Sequence, residues 1–160
     1  MRWIWIDKFT EFTPRTSATT VKNVSLAEEH LHDLYPDFPV VPHSLIVEGF
    51  AQTAGILVGE ARNFEEKVIL AKVSKATFHR LVRPGDTIHF HARVDQLSEQ
   101  GAATHGTVTC GDDTVAEIEM MFSHIDQNMS GIAFPEHNFV FTEQFTELLK
   151  TYRTSSGIPI

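Results

Sequence analysis

Between Tyr35 and Leu57 the chain reads YPDFPVVPHSLIVEGFAQTAGIL, and from Ser44 onward the one charged side chain in that stretch is Glu48. Burying a carboxylate is costly unless it is paired or used, so chemistry is the first question to ask of this position. Gln52 follows one helical turn later and shares its face. Around the pair, Gly49, Ala51, Ala54 and Gly55 are small enough for other backbone to approach closely. The residue types describe a polar spot on an otherwise dry helix that other elements wrap. A carboxylate in such a place can transfer a proton or activate water.

Other reactive residue types carry less. Cys110 lies at the end of a strand-like run before Gly111-Asp112-Asp113, the setting of a half-buried structural thiol rather than a nucleophile. A single cysteine also excludes an internal disulfide and fits a reducing compartment. His89 and His91 alternate with apolar residues on a strand and are expected to face solvent. No histidine pair has a third residue at metal-ligand spacing, so neither a metal nor another cofactor is expected.

The elements that must hold Glu48 follow from periodicity. The helix is expected from Ser44 to about Arg62, with Ser44 or His43 as its cap, and it is apolar nearly all round, as an element buried on most sides is. Leu26 to His43, with three prolines, reads as a loop. Strands are expected at Trp3–Phe9 and Ala18–Ser25. In Thr87 to Val94 the apolar set Ile88, Phe90, Ala92 and Val94 alternates with Thr87, His89, His91 and Arg93; Thr114 to Phe122 repeats the pattern. Cys110-Gly111-Asp112-Asp113 joins a strand at Ala102–Cys110 to the latter as a hairpin. One-sided alternation means an antiparallel sheet with one wet face. The fold class is therefore α+β, a curved antiparallel sheet wrapped round one long central helix.

The sequence divides into a body at 1–125 and an extension at 126–160. In the extension Phe141, Phe145, Leu148, Leu149 and Tyr152 fall near helical spacing, with Thr142 as a candidate cap, and a short amphipathic helix packed on the same domain is expected. A formal charge of −8 over 160 residues excludes a basic nucleic-acid-binding face. Lys72, Lys75, Arg80 and Arg83 read as a solvated face, with docking of an acidic carrier as the alternative. No run reaches the ~20 apolar residues of a membrane span, and a cytoplasmic protein is expected.

Pro36, Pro39, Pro42, Leu45, Glu48, Ala51, Gln52 and Gly55 resemble the segment H-F-P-G-x-P-x-x-P-G-x-L-x-x-E-x-x-A-Q-x-x-G of the FabZ/FabA-like 3-hydroxyacyl-[acyl-carrier-protein] dehydratases. Lys75, Ala76, Phe78, Arg80, Val82, Pro84, Gly85 and Asp86 resemble a second block, K-A-x-F-R-R-x-V-x-P-G-D. The resemblance spans about residues 1 to 125 and implies the hotdog fold. It implies a hydro-lyase acting on an acyl thioester of acyl carrier protein or coenzyme A in fatty-acid biosynthesis. It implies a site shared across a homodimer, or an assembly of dimers, with Glu48 of one chain facing the Leu34–Pro36 loop of the other.

In that family a histidine removes the α-proton, the glutamate handles the hydroxyl, and backbone N–H groups at the helix start polarise the thioester carbonyl. Here the histidine position is Leu34, the glycine after it is Asp37, and the helix-opening glycine is His43. Glu48 is thus the retained catalytic residue, with His43 and His32 as the candidates to replace the base. His30 lies farther out. Tyr35, Pro36, Pro42, Ser44 and Gln52 are the expected substrate-binding positions. Three readings follow: a dehydratase of reduced or lost activity, a hotdog thioesterase in which Glu48 activates water, or a non-catalytic acyl-binding or partner subunit.

Overall fold

The structure is a computed structural model, and it describes residues 4–125, 135, 138 and 140–158. The expectations that fall on Trp3 and on most of 126–139 lie outside the described residues. The chain order is β1 (Lys8–Thr13), β2 (Ser17–Asn23), α1 (His30–Asp33), α2 (His43–Glu60), β3 (Val68–Phe78), β4 (Thr87–Leu97), β5 (Gly101–Cys110), β6 (Asp113–His124) and α3 (Glu143–Ser155). The strands form a six-stranded sheet in the order β1-β2-β4-β5-β6-β3, and every neighbouring pair is antiparallel.

α2 touches five of the six strands, β2 to β6, so the sheet curves round it. The apolar sequence of α2 explains this placement: eleven of its 18 residues are buried. Phe50, Ile46 and Leu57 meet Phe90 and Ile88 of β4 and Ile118 and Met120 of β6 in one core. Close packing depends on Gly49, where an added Cβ would lie 2.3 Å from the ring of Phe90. Two buried hydroxyls inside are matched to each other. Thr20 and Thr53 share a 2.6 Å hydrogen bond, and Thr53 also donates to the Gly49 carbonyl.

The β4, β5 and β6 expectations agree with the structure to within a few residues, and Cys110 pairs with Asp113 across the tight turn that Gly111 closes at φ +58°. Four local expectations are corrected. The first strand begins at Lys8, so residues 4–7 of the expected strand lie outside it, and the backbone N–H of Trp5 is taken by Gln52. The loop before α2 contains the short helix α1. α2 starts at His43 after an extended Pro42, with no side-chain cap from Ser44 or His43. His89 and His91 are both half-buried rather than solvated, and His91 is held between Thr19 and Thr109.

β3 was not expected at all. Its register against β6 shifts twice, between Leu70 and Lys72 and between Val73 and Lys75, so the period-two alternation is broken twice along its length. Its outer edge is unpaired among the described residues. Among the described residues no helix is long and apolar enough to cross a membrane.

Candidate functional site

α2 carries Glu48 and Gln52 toward a groove of about 360 Å³ beside the helix. The walls are apolar: Ile56 of α2, Leu70 of β3, Phe122 of β6, and Phe141 and Phe145 at the start of α3. The polar end is organised. Gln52 Nε2 donates to Glu48 Oε1 at 2.7 Å, and Gln52 Oε1 accepts the backbone N–H of Trp5 at 2.8 Å. The N–H of Trp5 can only donate, so the amide is fixed with its NH₂ toward the carboxylate. Glu48 Oε2 has no hydrogen-bond partner among the described residues. The half-buried carboxylate therefore offers one oriented oxygen that is still available to a ligand.

The other expected site residues lie elsewhere in the same protomer. Tyr35, Pro42 and His43 line a second hollow of about 410 Å³ with Phe38 and Leu81. Pro36 and Ser44 are exposed and line neither cavity. The ring of His43 stacks flat on Phe78, with centroids 3.9 Å apart. The ring of His32 hydrogen-bonds the carbonyl of Leu26 at the surface. Neither histidine is bonded to Glu48. Leu34 is 54% exposed at the end of α1. Within one protomer the Glu48–Gln52 groove and the hollow beside Tyr35 are therefore separate.

The first turn of α2 adds a third element. The N–H groups of Leu45 and Ile46 donate to the Pro42 carbonyl. Those of His43 and Ser44 precede any carbonyl of the helix that could accept them. No side-chain cap covers the helix start, and both residues are exposed. His30, set aside by sequence, packs edge-on against Trp5 at 5.1 Å. Burial holds its pKa below the ordinary imidazole value, Glu28 opposes that shift, and Lys22 reinforces it. A larger hollow of about 500 Å³, near Lys72, Gln96 and Met121, has no acid, histidine or thiol in its lining. Among the described residues no cluster suited to a metal ion occurs.

Sequence reasoning missed Trp5, which acts through its backbone and leaves no residue-type signal. It also missed Phe141 and Phe145 as walls of the groove, because helical spacing shows that a face is buried but not what it is buried against.

Residues 4–119 match the model of the FabA-like domain. The chain belongs to the FabA-like family. Within that family it is 37% identical over 119 residues to the 3-hydroxyacyl-[acyl-carrier-protein] dehydratase FabZ of Rickettsia rickettsii, covering 72% of this chain and 81% of the relative. The fold is the hotdog fold. The dehydratase heterocomplex ApeI:P from Xenorhabdus doucetiae matches with a TM-score of 0.63 at 11% identity, over 79% of this chain and 90% of the other. A thioesterase from Haemophilus influenzae matches with a TM-score of 0.59 at 12% identity, over 72% and 75% of the two chains. The FabA-like match ends before α3 and both groove phenylalanines.

Proposed function

We propose that this FabA-like protein binds acyl thioesters, of acyl carrier protein or coenzyme A, at a site completed by a second copy of the chain, and that it dehydrates 3-hydroxyacyl thioesters poorly. The observation that carries the reading is the Glu48 carboxylate, held by Gln52 at the polar end of an apolar groove. Such a groove suits a fatty tail, and a carboxylate at its end suits the polar atoms near a thioester. The N–H groups of His43 and Ser44 at the start of α2 suit a carbonyl oxygen gaining negative charge.

Pairing of two copies is supported by what one protomer leaves exposed. Among the described residues the outer edge of β3 is unpaired, with Leu70 and Val73 about 40% exposed, and an unpaired edge is a template for another strand. Leu34, Tyr35 and Phe38 form a second exposed apolar set. A partner that brings its Leu34–Pro36 loop to Glu48 would cover such surfaces. It would also bring leucine where the resemblance places the base, and leucine cannot accept a proton. Cytoplasmic location belongs to the same proposal.

The test is binding and turnover of acyl-pantetheine thioesters by the natural chain and by Glu48→Ala, with the mass in solution measured by sedimentation. Weakened binding in Glu48→Ala and a dimer or larger assembly are expected. A stable monomer at micromolar concentration, or affinity indifferent to Glu48, would contradict the reading. Rapid Glu48-dependent hydrolysis would make the protein a thioesterase.

A further inference from the structure

The groove beside Glu48 has a wall that lies outside the FabA-like match. Phe141 and Phe145 come from the C-terminal segment, past residue 119, and both face the groove together with Ile56 and Phe122. We propose that these two phenylalanines set the length of the acyl chain the protein accepts, by closing the groove at the end away from Glu48. The inference rests on the acyl-thioester reading above.

The direction of the groove follows from α2. Its lining runs from Glu48 to Ile56 along the helix, a rise of about 12 Å at 1.5 Å per residue. Phe141 sits over the next turn, where a Cβ added to Gly59 would come within 2.4 Å of the Phe141 ring. The carboxylate therefore marks one end and the aromatic ring the other. A straight-chain thioester with its polar atoms at Glu48 must run its tail toward Phe141.

The wall is built in, not loosely draped. The side-chain amide of Asn138 donates to the carbonyls of Phe64 and Glu66 at 2.9 and 3.1 Å. Its oxygen accepts the N–H groups of Val140 and Phe141 at 3.0 and 3.1 Å. The Phe141 ring packs edge-on against Phe64, 5.2 Å away. Farther along, Leu149 is 2% exposed and Arg153 pairs with Glu60. With its backbone pinned on one side and α3 anchored on the other, the aromatic pair acts as a fixed end-stop. Removing a ring opens space into which further methylenes can be buried, each strengthening binding roughly fourfold.

The experiment titrates the full chain with amide analogues of acyl-pantetheine, which resist hydrolysis, in a saturated series from butanoyl to palmitoyl. Calorimetry reads affinity, and circular dichroism confirms that each variant is folded. In the natural chain affinity should rise with tail length and then fall at a cut-off. Phe141→Ala should move the cut-off to longer tails and tighten the first rejected tail about tenfold. Phe145→Trp should move it to shorter tails, and carries the test alone if Phe141→Ala does not fold. Unchanged length profiles in folded variants would overturn the end-stop while leaving the acyl site intact. Failure of the natural chain to bind any tail would overturn both readings.

Discussion

Gln52 holds Glu48 by a 2.7 Å hydrogen bond whose direction is fixed by a third group, the Trp5 backbone N–H on the other side of the amide. The two side chains are four residues apart on α2, so the helix brings them together, but the helix alone would not decide which end of the amide faces the acid. The segment before β1 decides it. Glu48 accepts at Oε1 and keeps Oε2 available.

Gln52→Leu should separate stability from function only partly. It leaves the Trp5 N–H unmatched and removes the donor to Glu48, and an unsatisfied buried group costs about 1–3 kcal/mol. Gln52→Glu keeps an acceptor for Trp5 but sets two carboxylates one turn apart. Denaturant melts should show both variants less stable. Acyl binding should weaken in both, even at temperatures where they remain folded.

Gly49 is where α2 touches β4 most closely. A Cβ there would lie 2.3 to 2.8 Å from three atoms of the Phe90 ring, and both residues are buried. Gly49→Ala should lower unfolding stability by about 1–3 kcal/mol, the usual result of overpacking a full core. The net loss is reduced slightly by the better helix propensity of alanine. A variant as stable as the natural chain would mean that the helix and sheet do not pack this tightly.

The small residues around Glu48 were legible for this reason: a glycine in an apolar helix asks for a close neighbour, and Phe90 is that neighbour. The alternation of Ile88, Phe90, Ala92 and Val94 likewise located β4 because one face is dry. β3 was illegible because two register shifts break its alternation and its outer edge has no partner among the described residues. At the candidate site, residue type drew attention to Glu48 but could not reveal the backbone contact from Trp5 or the packing of Phe141 over Gly59. Those depend on segments distant in sequence.

Stability should fall as pH drops through the histidine range. Burial depresses the pKa of His91 in the folded protein, the neighbouring His89 adds to this, and Glu11 opposes it. Thr19 and Thr109 flank its two ring nitrogens at 3.3 and 3.0 Å. Above about pH 6.5, the unperturbed value, the ring is neutral in both states and contributes no pH dependence. Below it the unfolded chain takes up the proton first, so stability declines until the folded pKa is passed. His30 is shifted the same way. Thermal midpoints should therefore decrease from about pH 7.5 to about pH 5.5, and His91→Gln should flatten that slope. A midpoint that rises on acidification, or a slope unchanged in His91→Gln, would show that His91 is not held in its neutral form.

In the proposed acyl-thioester site, Glu48 works with a base position that Leu34 fills. This is tested most directly by enoyl-thioester formation from a 3-hydroxyacyl thioester in Leu34→His, alone and with Asp37→Gly, against the natural chain and the same variants carrying Glu48→Ala. A positioned general base typically contributes ~10²–10⁴-fold. Slow dehydration by the natural chain, a gain of that order on restoring the histidine, and loss of the gain with Glu48→Ala are expected. A natural chain that already dehydrates rapidly and is stopped by His43→Ala or His32→Ala, or a Leu34→His gain that survives Glu48→Ala, would contradict this assignment.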